Sequence, residues 1–216
     1  MMALELEVAG EMLMLLPQKA MYWPSNSTLI IADIHFGKAA TFRRLGVPVP
    51  HGTTAQNLEL LDELMMLYPT QHIIFLGDFL HAPDISAATL QSLLNWRTSH
   101  PALEMTLVRG NHDLRAGDPP QELGIHIVNE PFRSGPYAFC HYPDIESDGY
   151  VLAGHVHPSF HLYGKRDSLR LPCFVVGERR TILPAFGAFT GTYTMSPQVG
   201  EQIFIIADDR VMKIGN

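Results

Sequence analysis

The stretch Leu107-Val108-Arg109-Gly110-Asn111-His112-Asp113 begins as an apolar strand and ends in a turn that sets an amide, an imidazole and a carboxylate side by side. Other apolar runs end in the same way. Leu29-Ile30-Ile31-Ala32 leads into Asp33-Ile34-His35, and Ile73-Ile74-Phe75-Leu76 leads into Gly77-Asp78. Downstream, Ala138-Phe139-Cys140 ends at His141, and Val151-Leu152-Ala153-Gly154 ends at His155-Val156-His157. Each run delivers metal-type ligands from its carboxyl end. That end of an α/β sheet is where ligands bind, so convergence on one site is the economical reading.

Outward from these strands, the apolar pattern alternates between periods of two and 3.6. Leu4–Val8 and Met12–Leu16 read as a hairpin turning at Ala9-Gly10-Glu11, with Met12 and Met14 as core filler. The following segment, 17–27, is an irregular connector in which Tyr22 and Trp23 pack. Gly37 to Arg44 begins a helix that Gly46, Pro48 and Pro50 stop, leaving a long loop beside the site. A second helix opens at Thr53 with an apolar stripe at Leu58, Leu61, Leu64, Met65 and Tyr68, and a third runs from Ser86 to Arg97. Strand alternating with helix gives an α/β fold. Beyond Gly124, short strands through Ile182-Leu183, Gln202 to Ile206 and Val211 to Ile214 predict a second, more antiparallel sheet.

At 216 residues and 46% hydrophobic content, the chain suits a single domain, 1–216, with a sizeable core. A net charge of −7 argues against a general nucleic-acid-coating protein, but not against a local site for cations. Cys140 and Cys173 are the only cysteines and no leading apolar segment flanked by basic residues is present, so a cytoplasmic protein is expected. No apolar run approaches the ~20 residues of a membrane helix, so no membrane partner is expected. Cys140 reads as a small buried hydrophobe.

Divalent ions such as Mn²⁺, Fe²⁺ or Zn²⁺ accept mixed carboxylate and imidazole ligands, and two of them ~3.5–4 Å apart can clamp a phosphate ester. Asp78 is the best bridging carboxylate, because Gly77 lets the backbone approach closely. Asp33, His35 and one later histidine complete one ion; Asn111, His141 and another histidine complete the second. Residues two apart in an extended segment point the same way, which aims Asp33/His35 and His155/His157 at one cluster. Two divalent ions set against two carboxylates and a bridging hydroxide retain roughly one positive charge, which suits a phosphodiester. On this reading the hydroxide attacks phosphorus and His112 protonates the leaving oxygen as general acid, with Asp113 orienting or charging it. His112 as an additional metal ligand is the alternative.

Asp33-Ile34-His35, Gly77-Asp78, Gly110-Asn111-His112-Asp113, His141 and Gly154-His155-Val156-His157 together resemble the signature of the calcineurin-like metallophosphoesterases. The resemblance implies a four-layer α/β/β/α sandwich of two mixed sheets flanked by helices. It also implies a dinuclear centre bridged by Asp78, with His157 joining Asp33 and His35 and with His155 joining Asn111 and His141. Residues 16–24, 37–50 and 183–191 further resemble the bacterial ligase-associated DNA damage response endonucleases. That branch implies a Mn²⁺-dependent phosphodiesterase acting on DNA, single-stranded by our reading, and functionally linked to a DNA ligase and helicase.

Outside the metal set, Lys38, Arg43 and Arg44, and a second group of Lys165, Arg166 and Arg170, are candidates for contacts to flanking phosphates. Phe42 and Tyr163 are candidates for base stacking, and His81 for orienting a ligand from behind. The rival functions are hydrolysis of a small nucleotide-type ester and, more remotely, a non-catalytic scaffold in a repair complex. Apolar strands near the carboxyl terminus would allow a homo-oligomer.

Overall fold

The computed structural model describes residues 2–49, 52–164 and 168–215. The chain opens as an antiparallel meander of β1 (Leu4–Val8), β2 (Glu11–Leu16), β3 (Ala20–Trp23) and β4 (Thr28–Ile31). From β4 the pairing becomes parallel. The helices α1 (Lys38–Arg44) and α2 (Thr53–Leu67) lead to β5 (His72–Leu76), and α3 (Ala87–Ser99) leads to β6 (Glu104–Val108). After α4 (Asn111–Ala116), β7 (His126–Val128) closes this seven-stranded sheet.

The parallel strands are apolar on both faces, which is why they read as continuous runs. Leu29, Ile31, Ile73, Phe75 and Leu107 face Leu58, Leu61 and Leu64 of α2 and Leu93 of α3. The alternate residues Ile30, Ile74, Leu76 and Val108 face the second sheet. Ser86 caps α3, its hydroxyl accepting from the Thr89 amide at 3.1 Å.

The second sheet contains β8 (Phe132–Ser134), β9 (Tyr137–Phe139), β10 (Tyr150–Ala153), β11 (Pro158–Tyr163), β12 (Ser168–Val176), β13 (Arg180–Ile182), β14 (Tyr193–Thr194), β15 (Gln202–Ala207) and β16 (Arg210–Lys213). It is mixed: β10 runs parallel to β9 and β13, whereas β12 pairs antiparallel with β11, β13 and β15. The two sheets pack face to face, with Leu13, Leu15, Met21 and Trp23 against Tyr137, Phe139, Phe174 and Phe204. Trp23 stands edge-on to Tyr137 at 5.0 Å, a geometry that contributes about 0.5–1.5 kcal/mol beyond the area buried. The Tyr137 hydroxyl donates to the Val8 carbonyl at 3.0 Å and so ties one sheet to the other.

Several details differ from the expectation. The segment 17–27, expected as an irregular connector, contains β3, which pairs with both β2 and β4. Met12 is 43% exposed, because the period of two puts Leu13 and Leu15 into the sheet interface and turns Met12 outward. The turn expected at Asn111 is the first residue of α4, with extended Gly110 as its cap. The expected α/β sandwich of two mixed sheets flanked by helices is present, with few helices, and among the described residues all of them precede Gly124. The outer face of the second sheet is closed by its own β11 and β12, whose Phe160, Leu162 and Leu171 pack against Val175, Ile182, Ile203 and Ile205.

Candidate metal centre

The strand ends place the ligand-type residues as the sequence pattern implied. Asp33 lies two residues past β4, Asp78 two past β5, Asn111 three past β6, His141 two past β9 and His155 two past β10. The carboxyl ends of β4, β5 and β6 in one sheet and of β9 and β10 in the other therefore meet at one edge of the sandwich.

The backbone that presents these residues is not extended. Asp33, His35, Asp78, His155 and His157 all have left-handed φ, at 52°, 49°, 51°, 68° and 52°. The same-face alternation expected for Asp33/His35 and His155/His157 is therefore corrected: a sharp turn after each strand, rather than strand pleat, brings the side chains together. A non-glycine residue in this region costs on the order of 1–3 kcal/mol and persists only where its surroundings over-determine it. Here they do. The His35 amide donates to the Asp78 carbonyl at 2.9 Å, Phe36 N to Phe79 O at 2.8 Å, His155 N to Asp33 Oδ2 at 2.8 Å and His112 N to Asp78 Oδ1 at 2.9 Å.

Two groups of donor atoms flank the Asp78 carboxylate. On one side, His157 Nε2 lies 3.3 Å from Asp33 Oδ1, and His35 Nε2 lies 3.6 Å from Asp78 Oδ2. On the other, His141 Nε2 lies 3.0 Å from both Asn111 Oδ1 and His155 Nδ1 and 3.6 Å from Asp78 Oδ1. Asp33, His35, Asp78 and His141 are all at most 4% exposed. Burial, with Lys38 and neighbouring histidines adding to it, holds the His35 imidazole well below the usual histidine range and keeps it neutral, the form that binds metal.

The donor set itself tests whether cations fit. Asp33 Oδ1, His35 Nε2 and His157 Nε2 are buried and have no hydrogen-bond partner, although they face one another. The His157 Nδ1 faces the Gly191 carbonyl at 3.0 Å and that of His141 faces the Leu76 carbonyl at 3.0 Å. With those N–H groups donating to carbonyls, the Nε2 atoms become acceptors, and clustered buried acceptors are satisfied by metal ions. Asp33, His35 and His157 form one such cluster, and Asp33, Asp78 and His141 another.

The glycines before these residues are required. A Cβ on Gly77, where φ is +79°, would overlap Nδ1 of the His141 ring and lie 2.9 Å from the Gly110 Cα. Gly77→Ala is expected to destabilise the protein by about 1–3 kcal/mol through that overlap and the unfavourable φ, read as a lowered midpoint of thermal unfolding. A Cβ on Gly154 would come 2.5 Å from Asp33 Oδ2.

His112 projects from α4 with Nε2 4.0 Å from Asp78 Oδ2, while its Nδ1 faces the His81 carbonyl at 3.0 Å. The His81 ring stacks on the His112 ring, centroids 4.9 Å apart, and burial pushes the His81 pKa down to about 4. The Asp113 carboxylate does not meet the His112 ring. It is buried and accepts from the Phe79, Leu80 and Gly110 amides at 2.9, 3.2 and 2.9 Å, so its structural partners are three backbone N–H groups.

Of the three basic residues of α1, Lys38 is half-buried and under the influence of Asp33 and Asp78. Arg44 donates to the Asp84 carbonyl at 2.9 Å, and Arg43 reaches the Val49 carbonyl at 3.4 Å, so both brace loops. Phe42 is half-buried between His81 and Phe189, at 5.9 and 5.6 Å. Arg170 donates to His161, Tyr163 is 80% exposed, and Lys165, Arg166 and His51 lie outside the described residues. Cys140 and Cys173 are buried, with thiols pushed up to about 12, consistent with inert hydrophobes.

Some residues at the centre carried no signal in the sequence. Glu130 accepts from the His141 and Tyr142 amides at 2.7 and 3.0 Å, and the Tyr142 ring lies 4.4 Å from that of His155. Asn57, in the first turns of α2, is buried against the backbone beside Asp33.

A two-sheet sandwich with clustered carboxylate and imidazole donors at one edge defines a metal-dependent phosphoesterase. Residues 27–174 match the calcineurin-like phosphoesterase family, and the chain belongs to that family. The family uses a dinuclear metal centre, which the histidine and aspartate clusters fit. The crystal structure of Pseudomonas putida nuclease MPE is similar over 99% of this chain and 100% of that one, at 42% identity and a TM-score of 0.88. A protein of unknown function from Aquifex aeolicus, AQ665, is 17% identical over 64% of this chain and 81% of its own, with a TM-score of 0.39. No curated protein matches. The chain is a metal-dependent hydrolase of phosphate esters.

Proposed function

We propose that this protein is a Mn²⁺-dependent DNA endonuclease of the phosphodiesterase type, acting in cytoplasmic DNA repair alongside a DNA ligase and helicase. The observation that carries the reading is the pair of donor groups on either side of one buried carboxylate, Asp78, with the His112 imidazole at its open edge. The similarity to a nuclease along the whole chain supports the choice of nucleic acid as substrate. The core shared by both sheets supports reading residues 1–216 as one domain.

In this assignment Asp33, His35 and His157 would hold one ion and Asn111, His141 and His155 the other, with the Asp78 carboxylate between the two groups. When bound, such ions would supply neutralising charge for the phosphate and lower the pKa of a water molecule to about 7. The chain's residues do the rest. The His81 carbonyl accepts from His112 Nδ1 and fixes the ring so that Nε2 points to the cluster, from where its proton passes to the leaving oxygen. Lys38 adds a positive charge on the same side for the incoming phosphate. Asp113 keeps α4 docked beneath His112 by holding the Phe79 and Leu80 amides.

The test is incubation of the Mn²⁺-loaded protein with circular single-stranded DNA, which offers no ends to an exonuclease. The wild type is expected to linearise the circle, and His112→Ala to do so about 10²–10³-fold more slowly, the usual contribution of a general acid. If the circle survives while a small phosphodiester is turned over, the chemistry stands and the substrate is a small nucleotide-type ester. If no ester is cleaved under any metal, the scaffold reading replaces both.

A further inference from the structure

The segment after β13, 183–191, runs beneath the Asp33 turn and is bonded to it in sequence. Phe186 N donates to Ala32 O at 2.8 Å and Gly187 N to Asp33 O at 3.3 Å. The next pair does not meet directly. Asn57 stands between them: its Nδ2 donates to Ile34 O at 3.3 Å, and its Oδ1 accepts from Ala188 N at 3.0 Å. The carboxamide thus acts as an inserted peptide group, carrying the ladder one step further to the residue between Asp33 and His35.

The approach is close enough to exclude side chains. A Cβ on Gly187 would lie 2.7 Å from Ile34 O and 3.2 Å from Asp33 O. At its near end the segment is held by Lys19, whose Nζ donates to the Phe186 carbonyl at 2.8 Å. At its far end the Gly191 carbonyl faces His157 Nδ1 at 3.0 Å. One strap therefore touches the backbone around Asp33 and His35 and the ring of His157. In the opposite group His141 is held by Leu76 and Glu130 rather than by the strap, while the His155 amide is tied across to Asp33 Oδ2 at 2.8 Å.

We infer that Asn57, through the 186–191 strap, is a positioning residue for the ion assigned to Asp33, His35 and His157, setting its affinity without setting that of its neighbour. The inference rests on the two-ion assignment proposed above. Asp33 and His35 sit in left-handed conformations that need external restraint, and Asn57 is the only side chain bonded to the carbonyl between them among the described residues. Groups that orient metal ligands from behind typically alter affinity by about 10–100-fold when removed.

Metal-free protein titrated with Mn²⁺, with free ion followed by its paramagnetic resonance signal, separates the possibilities. Wild type is expected to take two ions, and His157→Ala to lose the tight binding of one. Asn57→Ala and the near-isosteric Asn57→Asp, which lacks the donor to Ile34, are expected to weaken one ion by about 10–100-fold and leave the other at its wild-type affinity. Folded Asn57 variants that bind both ions as wild type does, or weaken both equally, overturn the inference. If neither variant folds, Lys19→Met decides at the other end of the strap: a several-fold weakening of one ion supports it, and unchanged binding overturns it. Should wild type take fewer than two ions, or His157→Ala retain both, it is the two-ion assignment that has failed.

Discussion

Asp78→Asn is expected to reduce phosphodiester hydrolysis by at least about 10⁴-fold while the protein stays folded. The carboxylate is 2% exposed and its two oxygens face different partners. Oδ2 lies 3.6 Å from His35 Nε2, Oδ1 lies 3.6 Å from His141 Nε2, and Oδ1 also accepts from the His112 amide at 2.9 Å. Asparagine keeps the shape and one oxygen but removes the negative charge shared by both groups, and it turns an N–H toward atoms that are acceptors. Without metal, Asp33 and Asp78 are two buried carboxylates sharing the neighbour His141, so removing one charge relieves repulsion. The melting temperature of the metal-free variant should therefore equal or exceed that of wild type. That combination, inactive and no less stable, marks a residue selected for chemistry rather than for folding. Turnover at half the wild-type rate would remove Asp78 from the assignment.

How far the sequence carries is visible at this same residue. Each apolar run announces its strand, and each ends in a ligand-type side chain, so the convergence of Asp33, Asp78, Asn111, His141 and His155 at one edge is legible from order alone. The left-handed backbone at Asp33, His35, Asp78, His155 and His157 is not, because local propensity favours extended chain there and only tertiary hydrogen bonds sustain the turn. Asn57 was hidden for a related reason: a polar residue near the start of a helix usually reads as solvated, and its partners lie 23 and 131 residues away. At Met12 the hairpin alternation is the stronger signal: with Leu13 and Leu15 on the buried face, Met12 turns outward whatever its hydrophobicity. Arg43 and Arg44 were legible as basic but not as braces, since the carbonyls they reach belong to loops without pattern.

Asp113→Ala should unfold more readily than any other single change in α4, losing on the order of 3–5 kcal/mol. Its neighbour His112 invites a catalytic reading, in which the carboxylate charges the imidazole. The bonds point elsewhere: Oδ1 takes the Phe79 and Leu80 amides, which follow Asp78, and Oδ2 takes the Gly110 amide, which precedes Asn111. Burial raises the carboxyl's pKa from the usual range while those three amides pull it back, the signature of a group retained for its acceptor oxygens. Alanine would leave three buried N–H groups without partners, each costing about 1–3 kcal/mol where water does not replace the oxygen. Asp113→Asn keeps one oxygen for the Phe79 and Leu80 amides and sets an N–H against Gly110, so it should cost less than half as much. Chemical denaturation of the metal-free proteins reads both. A charging role predicts the reverse pattern: normal stability for both variants, and for Asp113→Asn a lowered turnover with a shifted alkaline limb of its pH profile.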